Sequence, residues 1–288
     1  MASNVTVTEV EIETYESTLI HLSQQHVSRV QPWVMQRGEE SAGHNWPVLN
    51  PADAVLKGRD APTPETGAVF AERRSVPITM HIGEKVEPED IVQVLIDPLS
   101  GLAMSQVYSI NRAYDDELFD ACERDADDGN GGVVSFPAAQ LVNTGGVGSI
   151  TFDFVTQVTE IFLNNDVDPD EPKVWFVSPA QVRKLLQLTE MTSADYNSLR
   201  PLESGMPTIW MGYTWIPSTR LNSFGGGRAT CVAMTADAIG FNINEGLTSR
   251  VAEDPTESFA WRVYARSTFG AVRVQDEKIV LIDLNETI

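Results

Sequence analysis

The sequence predicts an α+β fold with an elongated part and a compact part, on three observations. Near the C-terminus, "SFAWRVYARSTFGAVRVQDEKIVLIDL" (residues 258 to 284) opens with a two-residue apolar period that lasts far longer than an ordinary strand. Residues 98 to 123 keep helical spacing for about seven turns. From about Val133 the pattern breaks into shorter strand and helix units, which suits a second, compact domain.

Taken in order, residues 1 to 30 begin with an acidic, β-branched segment and continue as an amphipathic helix through Tyr15, Leu19, Leu22 and Val30, an arm by its look. Residues 31 to 74, "QPWVMQRGEESAGHNWPVLNPADAVLKGRDAPTPETGAVFAERR", hold five prolines and four glycines with little periodicity. A loop of that length is uncommon inside a compact domain. Trp33, Trp46, Val48, Leu49 and Phe70 argue that contact with something else orders it, because disordered linkers lack aromatic anchors. "SVPITMHI" then alternates as a strand with Val76, Ile78, Met80 and Ile82 on one face, and Pro77 restricts it to a sheet edge.

Asp97 before Pro98 reads as a helix N-cap with proline at the first helical position. Leu102, Ile110, Tyr114, Leu118 and Cys122 carry the spacing to the stop "DADDGNGG". At 1.5 Å per residue this rod is roughly 40 Å long, more than twice the mean helix. Residues 151 to 164 place Phe152, Val155, Val158, Ile161 and Phe162 on one helical face. "KVWFV" is a short buried strand, and "SPAQ" at 178 to 181 is a capping box opening the helix "AQVRKLLQL". "TIWMGYTWIP", "RATCVAMT" and "KIVLIDL" supply further strands, with Gly225 to Gly227 as a turn. In the terminal ribbon, Phe259, Trp261, Val263, Ala265 and Phe269 take odd positions, and Val272 and Val274 take even ones; the switch predicts a bulge or bend at Gly270. Residues 258 to 274 would span on the order of 55 Å.

With 288 residues, 42% of them hydrophobic, the chain can bury a substantial core as one large domain or two ordinary ones. No apolar run approaches the roughly 20 residues of a membrane span, and the N-terminus lacks the order of a secretion signal, so a cytoplasmic origin is expected. A net charge of -21 argues against a nucleic-acid-binding surface. It also sets copies of the chain against one another, so salt should promote any assembly.

Motifs of chemistry are missing: there is no GxxxxGK[ST], GxSxG, HExxH or GxGxxG after a strand, and "TGGVGS" at 144 to 149 is a glycine-rich loop only. Cys122 and Cys231 form no CxxC and read as buried thiols. His21 and His26 are five apart, wrong for one helical face, and His44 and His81 stand alone. "DADDGN" and "DVDPDE" space carboxylates like a calcium loop but lack glycine at the sixth place and glutamate at the twelfth, so they read as solvated turns. No residue is nominated as catalytic, cofactor-binding or metal-binding, and no cofactor is expected.

"EDPTESFAWRVYARSTFGAVRVQDEKIVLIDL", the preceding "CVAMTADAIGFNI" and the long helix after a proline-rich loop together resemble the major capsid (coat) proteins of tailed bacteriophages with the Hong Kong 97 type fold. That resemblance implies an N-terminal arm (1–45), an extended β-hairpin loop (46–83), a peripheral domain of spine helix and long strand (84–130 and 248–274), and an axial domain with a central mixed sheet and helices (131–247 and 275–288). It implies a structural protein that self-assembles into pentamers and hexamers of an icosahedral head around double-stranded DNA, found in the virion and, before assembly, in the host cytoplasm. Its partners would be copies of itself, a portal and possibly a decoration protein, with DNA enclosed but not bound by sequence and no membrane. The long N-terminal scaffolding segment of some relatives is absent, so a separate scaffolding protein is expected; no crosslinking Lys and Asn pair can be assigned. The alternatives are an encapsulin-like nanocompartment shell of the same fold and an α/β hydrolase or transferase with an unrecognised site.

Overall fold

The computed structural model describes residues 23–38, 40–63, 65, 67, 69–87, 98–143, 145–189, 209–222, 227–256 and 258–287. In chain order the elements are β1 (Met35–Arg37), β2 (His44–Leu49), β3 (Phe70–Ser75), β4 (Ile78–Val86), α1 (Pro98–Glu123), β5 (Ala126–Asp127), β6 (Val133–Val134) and β7 (Leu141–Val142). They continue with α2 (Phe152–Asn164), β8 (Lys173–Val177), α3 (Pro179–Leu185), β9 (Ile209–Trp210), β10 (Tyr213–Pro217), β11 (Arg228–Thr235), β12 (Ile239–Asp254), β13 (Ala260–Arg273) and β14 (Ile279–Asn285). The class is α+β, as the sequence predicts.

Among the described residues three sheets divide the strands: β1-β12-β13-β4, β7-β14-β11-β8-β10-β9, and β2-β3-β5-β6. The six-stranded sheet is apolar on both sides, which explains why "KVWFV" is buried throughout. Val174 and Phe176 face the core shared with α1, whereas Trp175 and Val177 face the core under α2 and α3. The β9–β10 hairpin turns through Met211 (φ 51°) and Gly212 (φ 79°), the paired left-handed residues of a tight hairpin turn.

The elongated part is α1, 26 residues long, beside the antiparallel pair β12 and β13. α1 runs in the same direction as β13: Gln106 Nε2 donates to Val263 O (2.9 Å), the Tyr114 and Ser267 hydroxyls lie 2.7 Å apart, and the Tyr114 ring meets Phe269 edge-on. β4 closes this sheet as an edge strand and starts immediately after Pro77, where a missing N–H costs nothing.

The bulge expected at Gly270 is not there. The β12–β13 register is continuous through Asn242↔Gly270, and the irregularities fall on β12, between Ile243 and Glu245 and between Glu245 and Thr248. The change of parity has another cause: odd residues of β13 face α1 along the whole strand, and beyond Gly270 the even face is covered too. Val272 and Val274 pack with Trp46 and Ala126 in a small separate core. Gly270 does not adopt a left-handed φ; it is needed because a Cβ would lie 2.6 Å from Val76 O and 3.1 Å from Pro77 Cα, both backbone atoms. Gly270→Ala and Gly270→Val should each lower stability by about 1–3 kcal/mol in urea denaturation, since the first added carbon already collides. An unchanged midpoint in both variants would refute this.

Several other expectations need correction. Tyr15, Leu19 and Leu22 lie outside the described residues, and residues 23 to 30 form no helix; Val30 is buried in the core shared with α1 and leads into a single 3-10 turn, Gln31–Trp33. The span 31 to 74 does order within its own chain in part, as β1, β2 and β3, because Trp46 settles on Gly240 of β12, where no side chain would fit. The capping box is half made: Ser178 Oγ accepts from Gln181 N, but the Gln181 side chain turns away to accept from Ile150 N and donate to Asn285 O (both 2.8 Å). α3 ends at Leu185, three residues early, and Phe152 is exposed at the start of α2. Asp97, Gly225 and Gly226 lie outside the described residues.

Candidate functional surfaces

The residues weighed for chemistry do not converge. Cys122 and Cys231 are fully buried, and desolvation pushes both thiols up, that of Cys231 to about 12, so neither is a nucleophile near neutrality. His26 stacks on Tyr108, His44 packs edge-on against Trp46, and His81 tilts toward Tyr264, three separate places; His21 lies outside the described residues. Both acidic runs hold turns. Asp128 accepts from Asn130 N and Gly132 N (2.8 Å each), bonds that keep its carboxyl below the usual range, and Asp168 accepts from Asp170 N (3.0 Å). In the glycine-rich loop, Gly146 (φ 60°) lies directly on the Arg228–Asp283 ion pair, leaving no cradle for a phosphate there. Among the described residues no three of His, Cys, Asp and Glu are placed to hold a metal, and no helix is long and apolar enough to cross a membrane.

What the chain offers instead is surface. The segment before β1 is clamped onto α1 by Asp115, a carboxylate with no exposed area. It accepts from Ser28 Oγ (2.5 Å), from the Gln25 side chain, and from the backbone N–H groups of Arg29 (3.1 Å) and Val30 (3.2 Å). Asn111 and Arg112 of α1 donate to His26 O and the Gln24 side chain (2.8 Å each). Four donors on one carboxylate fix the path of the chain before it enters β1.

β2 and β3 form a hairpin whose last pair is Leu49↔Phe70. The hairpin then opens into a loop in which every described residue from Asn50 to Val69 is exposed. Its apolar side chains have nothing to cover them: Leu56 is 97% exposed and Val55 58%, with Phe70 beyond at 76%. Leaving such groups in water forfeits roughly 1.5–3 kcal/mol apiece relative to burial. On a soluble chain, a cluster of this kind marks contact with another molecule.

One residue that sequence reasoning missed ties these parts together. Arg273 has no exposed area; its Nε meets Asp276 Oδ1 at 2.5 Å and its Nη atoms donate to Arg124 O (2.8 Å), Cys122 O (3.3 Å) and Val134 O (2.9 Å). Its charge therefore caps the C-terminal carbonyls of α1. Arg73 of the hairpin reaches the other Asp276 oxygen at 3.2 Å. Helix, ribbon, hairpin and the turn into β14 meet at one ion cluster. The available signal was an arginine set between valines in "AVRVQD".

A clamped arm, an uncovered loop and a long helix-backed ribbon belong to a component of something larger. The family model described as phage capsid protein matches residues 7–286, nearly the whole chain. The chain belongs to the phage capsid protein family. Among solved structures, this capsid protein resembles one titled Mycobacterium phage Che8, with a TM-score of 0.75 and 16% identity over 98% of this chain and 99% of that one. It also resembles the capsid of Cyanophage P-SCSP1u (TM-score 0.76, 11% identity, 98% and 96% covered) and the Cyanophage Pam1 capsid asymmetric unit (TM-score 0.74, 13% identity, 99% of each chain covered). At these identities the likeness establishes the fold, the Hong Kong 97 type that the sequence resembled. Comparison with curated proteins gives no significant match. The capsid protein is structural and not an enzyme, which removes the hydrolase or transferase alternative.

Proposed function

We propose that this capsid protein assembles as pentamers and hexamers into a closed icosahedral head that encloses double-stranded DNA. The carrying observation is the uncovered loop from Asn50 to Val69, which gains an environment only when laid across a neighbouring copy. Identical tiles joined by such a heterologous contact close into rings, and rings joined by arms and loops close into a shell. In this reading residues 1–45 are the arm, 46–83 the extended loop, 84–130 with 248–274 the peripheral domain, and 131–247 with 275–288 the axial domain. The net charge of -21 makes the protein a container for DNA and not a ligand of it. A portal, a scaffolding protein and possibly a decoration protein are its partners, and the virion its destination.

The test is negative-stain microscopy of the expressed chain, alone and with its scaffold, across a salt series. Shells or ring-shaped capsomers are expected, more of them as salt rises, because screening weakens repulsion between acidic copies. Persistent monomers at every salt concentration, with scaffold present, would overturn the proposal.

A further inference from the structure

Resting on that reading, the structure assigns the loop a specific seat on the neighbouring copy. Two grooves adjoin along the outer side of β2. One, of about 570 Å³, is lined by Met35, Arg37, Trp46, Val48 and Val274 among others; the next, of about 470 Å³, by Leu49, Val167, Asp166, Asp168 and Glu277. Val48, Leu49 and Gln275 line both, so they form one trough. Consecutive residues of β2, from His44 to Leu49, border the first groove. Consecutive strand residues point to opposite faces, so this groove follows the edge of the strand and not one of its faces. β2 is the edge strand of its sheet, and apart from Pro47, which has no N–H, such a strand offers main-chain groups to an added segment.

The trough is polarised. Arg37, set over the Trp46 ring at 6.0 Å, marks one end; the middle is apolar; Asp166, Asp168 and Glu277, all exposed, mark the other, where Lys278 is already paired with Glu171 at 2.8 Å. The loop has the matching order. Asp53 comes first, Val55 and Leu56 follow, then Lys57 and Arg59, all exposed. Six residue steps separate Asp53 from Arg59, about 20 Å when extended, one step more than the roughly 17 Å from His44 to Leu49 of β2. We propose that residues 53–59 of one copy lie along the outer edge of β2 of a second copy, in the same direction as β2. Asp53 faces Arg37, Val55 and Leu56 cover Trp46 to Leu49, and Lys57 and Arg59 meet Asp168, Asp166 and Glu277.

Every copy carries both the segment and the trough, so the contact is head to tail and repeats around a ring. It also supplies an attractive element between copies that otherwise repel.

The test is charge exchange in the full chain. Lys57→Glu with Arg59→Glu should leave the melting temperature unchanged, because both side chains are exposed, and should cut shell yield at least tenfold. Adding Glu277→Lys to that variant should raise its shell yield at least threefold. A second arm places Leu56→Cys and Leu49→Cys in one chain, where mild oxidation of assembled material should give a covalent ladder on a non-reducing gel. Normal assembly by the loop reversal, no rescue by the exchange, or crosslinking within single chains would overturn the seat while leaving the shell reading intact. A parent chain that makes neither shells nor capsomers would overturn both.

Discussion

Replacing residues 50–69 by Asn-Gly is expected to leave a chain that folds as well as the parent and builds no shell. Leu49 and Phe70 are already paired as the last residues of β2 and β3, and Asn-Gly supplies the two left-handed residues that a tight hairpin turn needs. The deletion removes no buried side chain, since each described residue in it is exposed. Closing a hairpin with two residues in place of twenty also lowers the loop-closure cost, by about 2 kcal/mol on the logarithmic scaling. The melting temperature should therefore hold or rise in calorimetry, while microscopy shows monomers and small capsomers only. Normal shells from this variant would show the loop dispensable, and with it the basis of the functional reading. A lost fold would show that the loop supports its own chain, contrary to its exposure.

The largest effect on stability is expected at Arg273. Truncation to alanine removes the partner of Asp276 and uncaps three main-chain carbonyls in a place with no access to water. Breaking a buried pair on one side costs roughly 3–5 kcal/mol, a fall in melting temperature on the order of 10 °C for a chain of this size. Arg73, 3.2 Å from the same carboxylate, keeps Asp276 from being wholly abandoned, which favours the lower half of that range. Half-buried Arg266, paired with Glu245 at 2.9 Å, is the control and should lose less than about 1 kcal/mol as alanine. Equal melting of Arg273→Ala and Arg266→Ala would remove the ion cluster from any central role.

What the sequence made legible follows from how each element is covered. α1 and the longer strands of the six-stranded sheet were readable because one face or both is dry, so side-chain type tracks position. β12 was not, although at 16 residues it is the longest strand among the described residues. From Glu245 onward its neighbours on both faces are largely solvent, its burial pattern loses alternation, and nothing in "EGLTSRVAED" marks a period. β5, β6 and β7 have two residues each, too few to carry a period at all. The change of parity at Gly270 is legible in the sequence and its cause is not, since the second covering layer comes from Trp46 more than two hundred positions away. The order of the functional surfaces was visible in the proline-rich span; the Asp115 clamp and the Arg273 cluster were not, because each joins segments distant in sequence.

The uneven covering of β13 also has a mechanical consequence. Between Trp261 and Phe269 the strand is backed by α1 on one side only, and past Gly270 it is sandwiched. In a shell wall under load, bending is expected to concentrate in the thinner stretch, while the sandwiched end, joined by Arg273 to the end of α1 and to the turn before β14, resists it. Tiles of this design can change the angle they make with their neighbours without yielding at the centre.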